Sequence, residues 1–175
     1  MKPGQRATGV LIGAALLLSA TAGFPETILV YVEQYTNGTP GPAPAAACAG
    51  ILDGLFETGH IVFDTGKELV PDVDWATGGS KRLLSIAIEG GARLIVTARV
   101  ESTVEGEEGQ PAAVRTDLTY YVMDALTFST LRSAALHGDN LGKENEVDAS
   151  ALNFGLGVEI AAEVSGLCTG SFALE

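Results

Sequence analysis

The sequence predicts an α/β (α+β) fold, with a mixed sheet of about five strands in the order β-α-β-α-β-β-β-α and helices packed on the sheet. Three observations predict it. Arg93–Glu101, RLIVTARVE, alternates with period two and is rich in β-branched residues, so it reads as a central strand. Ala45–Thr58 carries Cys48, Ile51, Leu52, Leu55 and Phe56 at i, i+3, i+4, i+7 and i+8, the apolar stripe of a helix. Val114–Met123 and Phe128–Leu136 are two more strand-like runs joined by the turn Asp124-Ala125-Leu126-Thr127. A crossover followed by a meander places the chain in the mixed class.

Taken in order, the chain begins with a leader. Lys2 and Arg6 form a positive n-region, Val10–Ala20 is apolar, and Ala20-Thr21-Ala22 is an A-x-A cleavage signal. The apolar run is shorter than the roughly 20 residues that span a bilayer. Residues 1–22 therefore read as a signal peptide, and residues 23–175 as one α/β domain with no transmembrane span. No cysteine stands at the cleavage point to take a lipid.

Glu26–Tyr35, ETILVYVEQY, is the first strand, and its continuous apolar centre suits a position covered on both faces. Asn37–Pro44, NGTPGPAP, breaks regular structure. Asn37-Gly38-Thr39 also matches a glycosylation sequon, which a bacterial-type leader makes of little weight. Pro44 suits the first turn of the helix that follows, and Gly59 its C′ position. His60–Asp64 is a short strand, and Thr65–Gly79 a loop. Ser80 caps a second helix, Lys81–Glu89, which Gly90-Gly91 stops. After the central strand, Gly106–Pro111 is a polar hairpin tip. His137–Asp148 reads as loop and Ser150–Gly166 as the last helix, weakened at its start by Gly155 and Gly157.

Charge excludes whole classes of partner. Without Lys2 and Arg6, the 10 basic residues become 8 against 22 acidic, and the formal net charge goes from −12 to −14. Such a surface repels phosphate backbones and anionic lipid alike, so no nucleic acid is expected as a partner. Cys48 and Cys168 are the two cysteines. In an exported chain they suggest one disulfide, and the alternative is two buried thiols acting as small hydrophobes.

Residues able to carry chemistry are few. A metal site would need His60 and His137 to converge with acids such as Asp64 or Asp139, and Glu57-x-x-His60 has the spacing of a helical metal pair without a second pair to match it. No G-x-S-x-G supports an elbow hydrolase. Thr77-Gly78-Gly79-Ser80-Lys81 lacks phosphate-loop spacing and reads as a capped helix start. Asp72-Val73-Asp74-Trp75 lacks the further oxygens of a calcium loop and reads as a solvated acidic loop with one aromatic packed down. Trp75, Tyr120 and Tyr121 are candidate partner contacts, because aromatics anchor interfaces, and equally candidate core residues. No catalytic, metal or cofactor residue is assigned.

The order of elements resembles the small α/β domain of bacterial envelope-assembly proteins: the amino-terminal domain of TolB, the periplasmic domain of LpoB and the core of the CsgG secretion channel. Three stretches carry the likeness: AGILDGLFETGHIVFD, LLSIAIEGGARLIVTARV and LTYYVMDALTFSTL. It covers most of residues 26–166. Phe128 stands where the pattern has Gly, and Ala98 where Gly is common. No counterpart of the TolB propeller or the CsgG membrane hairpins is read here. The resemblance implies a non-catalytic interaction module rather than an enzyme.

The expectation is thus an exported periplasmic or secreted envelope protein without a cofactor. It would dock on a periplasmic or outer-membrane protein partner, or self-associate through a sheet edge or helix face. Two alternatives stand beside it: a binding domain for a small envelope ligand, using loops 37–44 and 65–79, and a small metal-dependent hydrolase.

Overall fold

The computed structural model describes residues 25–41, 45–66, 70–105, 113–140 and 149–169. The leader, Pro44 and the hairpin tip Gly106–Pro111 lie outside them. The elements are β1 (Thr27–Thr36), β2 (Thr39–Pro40), α1 (Ala46–Glu57), β3 (Ile61–Asp64), α2 (Lys81–Glu89), β4 (Leu94–Glu105), β5 (Ala113–Asp124), β6 (Ser129–Asn140) and α3 (Ala149–Cys168). They form one mixed six-stranded sheet in the order β2-β1-β4-β5-β6, with β3 also paired to β1. β1 runs parallel to β3 and β4, and β4, β5 and β6 form an antiparallel meander.

Both faces of the sheet are used. On one face Ile28, Val30, Val96, Ala98, Leu118, Tyr120 and Val122 pack against Ile51 and Leu55 of α1 and Leu156, Ile160 and Val164 of α3. On the other, Leu29, Tyr31, Ile95 and Met123 pack against Leu83 and Ala87 of α2 and against Val70. This double cover is why ILVYV and LIV are continuously apolar.

Local chemistry sets the ends of the helices. α1 and α2 close with the same motif. Gly59 takes φ 87° and Gly91 φ 71°. The N–H groups of Gly59 and His60 donate to Phe56 and Leu55, and those of Gly91 and Ala92 donate to Ile88 and Ala87. Each motif feeds directly into a strand beside β1. Ser80 Oγ accepts from the N–H groups of Arg82 and Leu83 at 3.1 and 3.2 Å, a cap worth about 1 kcal/mol. Between α3 and the sheet lies a closed polar triad. Thr116 Oγ1 donates to Asn153 Oδ1 at 2.9 Å and Asn153 Nδ2 to Ser102 Oγ at 3.2 Å, so the buried amide is satisfied.

Three expectations change. The stretch after β1 is not wholly irregular: Asn37 and Gly38 both have positive φ and reverse the chain into β2, as an Asn-Gly pair does in a tight hairpin. Asn37 also bonds Val104 through both side-chain ends. Residues 137–140 are strand, not loop. Leu136 and Gly138 face the core, while His137 and Asp139 stand on the wet face against Asp117 and Arg115. The sheet has six strands rather than about five, the added one being β2, and β6 runs on to Asn140.

Candidate interaction sites

Loop Val70–Gly79 is built around its own acids. Asp74 Oδ1 accepts from the Ala76 N–H at 3.0 Å and Oδ2 from Thr77 Oγ1 at 3.0 Å. Asp72 Oδ1 accepts from Ser80 Oγ at 2.7 Å, and that bond holds its carboxyl below the usual carboxylate range. The amino terminus of α2 thus already has a cap and a carboxylate against it, a poor setting for phosphate. Gly78, at φ 74°, rests on the Tyr121 ring so closely that a Cβ would overlap it. Tyr121 donates to the Trp75 carbonyl at 2.6 Å and Thr97 to the Gly78 carbonyl at 3.1 Å.

Tyr121 is therefore a strut between sheet and loop. Tyr120, its neighbour in sequence, points to the other face. It is fully buried beneath α3, with its hydroxyl on the Glu163 carboxylate. Tyr120 belongs to the core and is corrected as a partner contact. Trp75 is half-buried. The Arg99 guanidinium lies 5.0 Å from the Tyr35 ring centre and 6.0 Å from Trp75, an arginine held between two aromatics and paired with Glu101 at 2.8 Å.

Beside this sandwich is a cavity of about 440 Å³. Val32, Glu33, Gln34, Tyr35, Val73 and Trp75 line it, between the β1–β2 turn and the Val70 segment. It sits in a gap of the sheet edge: β3 ends opposite Val30 and β2 begins at Tyr35. Among the described residues Gln34 Oε1 has no hydrogen-bond partner, and it is buried. The Glu33 carboxylate accepts from the hydroxyls of Tyr31 and Tyr35 at 2.8 and 2.9 Å.

The histidines do not meet. His60 is buried beside the start of β3, and its Nδ1 accepts the Glu26 N–H at 3.2 Å. Burial holds its pKa below the ordinary value. His137 is exposed on β6, 2.6 Å from Asp117. About 19 Å of sheet width separates the two strands. Among the described residues no group of three or more His, Cys, Asp or Glu is placed to hold a metal. Cys48 and Cys168 are free thiols, the first buried and the second half-buried, and the structure does not contain the bridge. Burial pushes Cys48 up to about 12 and raises Cys168 as well.

Two apolar surfaces at the rim of the sheet went unread in the sequence. The first is the shoulder where β5 turns into β6. Leu126 is 76% exposed, Leu131 49% and Phe128 42%. Leu131 is the extra residue of a β-bulge, since Val122 pairs Arg132 while Met123 pairs Thr130. Asp124 locks the turn, its Oδ1 accepting the N–H groups of Leu126 and Thr127 at 2.8 Å each. The second surface is a groove of about 540 Å³ between α1 and β3, lined by Leu52, Asp53, Phe56, Val62, Phe63 and Asp64. Phe128 was the one signal available beforehand, as a bulky residue where the pattern has Gly.

α3 is, by length and composition, apolar enough to cross a membrane. In the fold Leu156, Ile160 and Val164 face α1 and the sheet, while Phe154 and Val158 are each 38% exposed.

No protein-family model matches the chain, and no curated protein sequence is similar to it. Solved structures are similar. A PelC dodecamer from Paraburkholderia phytofirmans matches over 78% of this chain and 86% of that one, at 14% identity and a TM-score of 0.55. The hypothetical protein CT253 from Chlamydia trachomatis matches over 82% and 98%, at 14% identity and 0.56. The LpoB C-terminal domain from Salmonella enterica matches over 69% and 85%, at 16% identity and 0.41. The first two carry the comparison, and at these identities it is one of fold. The chain has the small α/β domain fold that the pattern of elements resembled.

Proposed function

We propose that this chain is a non-catalytic assembly module of the bacterial cell envelope, acting by self-association at the rim of its sheet. The carrying observation is the β5–β6 shoulder. It presents Leu126, Phe128 and Leu131 to solvent next to the outer edge of β6, which no described strand pairs. Exposed apolar side chains beside an unpaired edge mark an association site. A dodecamer with this fold, PelC, supports the reading, and the leader read from Lys2–Ala22 supports export. The test is light scattering on the purified chain after size exclusion. The wild type runs as a multiple of its own mass, and Phe128→Asp with Leu131→Asp returns it to one copy. A wild type that stays a single copy at every concentration sinks the reading.

A second reading has its own observation, the cavity of about 440 Å³ between the two loops expected to bind a small ligand. Its apolar walls and the unpaired Gln34 Oε1 suit a mostly apolar molecule with one hydrogen-bond donor. The hydrolase alternative is not carried forward, because the histidines lie on opposite sides of the sheet.

A further inference from the structure

Resting on the cavity reading, we infer that the cavity of about 440 Å³ takes a short extended peptide, apolar and without a free carboxylate, paired to β1 where its edge ladder is interrupted.

The main chain carries the argument. Along β1, alternate residues turn their N–H and C=O groups to β4, and the residues between them turn theirs outward. The Thr27 carbonyl accepts from the Arg93 N–H at 2.8 Å, on the β4 side. The Glu26 carbonyl accepts from Ile61 at 3.0 Å and the Gln34 carbonyl from Gly41 at 2.7 Å, both on the outer side. Val32 is in step with Glu26 and Gln34, so its N–H and C=O point outward as well. β3 stops opposite Val30 and β2 starts opposite Tyr35. Among the described residues no main-chain group bonds Val32 from that side. One rung of the ladder, a donor and an acceptor, therefore opens into the cavity that Val32 lines.

The walls fit the same occupant. Successive side chains of a strand point to opposite faces of its sheet, so an added strand needs room on both. Val32 packs with Ala45 on the face of α1, and Val70, Val73 and Trp75 stand on the face of α2. All five line the cavity, which thus straddles the sheet edge in line with the missing neighbour of β1. Roughly 16 Å of β1 separates Val30 from Tyr35, room for about three extended residues between the end of β3 and the start of β2. An extended peptide presents an N–H and a C=O at the spacing of the open rung and apolar side chains to either wall.

Charge narrows the class. Among the described residues lining the cavity, Glu33 is charged and none is Lys or Arg. Arg99, over the Tyr35 ring, is already paired with Glu101 at 2.8 Å. A carboxylate on the ligand would meet Glu33 with no free cation to offset it. The ligand is therefore an internal segment or a capped end.

The test is nuclear magnetic resonance on the isotope-labelled full chain. The probes are acetyl-Val-Ala-Val-amide, the same peptide with every residue nitrogen methylated, the same peptide with a free carboxylate, and cyclohexanol as a compact apolar molecule with one donor. The capped peptide shifts the Val32 and Gln34 amide signals and slows hydrogen exchange at the Val32 N–H. The methylated peptide binds about tenfold more weakly, having lost its donors. Val32→Pro removes the open N–H, leaves the rungs to β4 in place, and weakens the capped peptide by about the same factor. The methylated peptide needs no variant, so the result stands even where Val32→Pro does not fold. Equal binding of the capped and methylated peptides overturns strand pairing and leaves the cavity reading intact, as does binding of cyclohexanol alone. Tighter binding of the free carboxylate overturns the ligand class. No response of these amides to any probe removes the cavity reading itself.

Discussion

Phe128 holds φ 54°, in the left-handed region where a Cβ meets its own backbone. An L-residue there costs about 1–2 kcal/mol. The turn is locked by Asp124, and the ring, more than half buried, rests against Gly79 of the loop. Phe128→Gly removes the strain and that contact together, so the unfolding free energy in urea titration is expected to stay within about 1 kcal/mol of the wild type. The same variant weakens self-association, because the ring leaves the shoulder. His60 makes a prediction of a different kind. Its Nδ1 must stay unprotonated to accept the Glu26 N–H, and burial lowers its pKa in the folded state. The unfolded chain then binds a proton more readily than the folded one. The stability it gives is complete above the unfolded pKa of about 6.5 and is lost as pH falls through the folded value. Urea titrations between neutral pH and pH 5 show a falling unfolding free energy, and His60→Phe flattens that limb.

At the scale of the element, α1 and α3 meet through glycine. A Cβ on Gly50 would overlap the Phe154 carbonyl, one on Gly157 the Ala47 carbonyl, and one on Gly54 would come within 2.6 Å of the Ala161 Cβ. Gly155, two residues before Gly157, has nothing within 4 Å. The two glycines weaken α3 alike by propensity, yet one is a contact and the other is free. Gly155→Ala is expected to stabilise by roughly 0.5–1 kcal/mol in thermal or urea unfolding. Gly157→Ala should destabilise by roughly 1–3 kcal/mol, because the helices must part. Equal effects of either sign would contradict this packing. Composition cannot separate the pair, since the difference lies in what another helix brings alongside. The Tyr120–Tyr121 pair was more legible: strand alternation sets Tyr120 with Leu118 and Val122, and the structure buries it there.

At the scale of the whole molecule, legibility follows burial. The stretches with two covered faces, β1 and the first half of β4, announce themselves by unbroken apolar residues. The end of β6 does not. One of its faces is wet and the other holds Gly138, so alternation is reduced to His137 and Asp139 facing their cross-strand partners. Both rim surfaces were hidden for the opposite reason. Leu126, Phe128, Leu131 and Phe56 look like interior residues in a list of letters, and only the closed fold shows that the interior was full without them. The candidate contacts read beforehand, Trp75 and Tyr121, turned out to hold the loop beside the cavity.

Trp75 is the chain's single tryptophan, and it lines the cavity. It stands beside an arginine, its carbonyl tied to Tyr121, and it is no part of the shoulder or the groove. The molecule thus carries one built-in lamp, placed at the mouth of one of its two candidate sites. Emission from this indole shifts when the cavity fills and stays dark to copies joining at the rim.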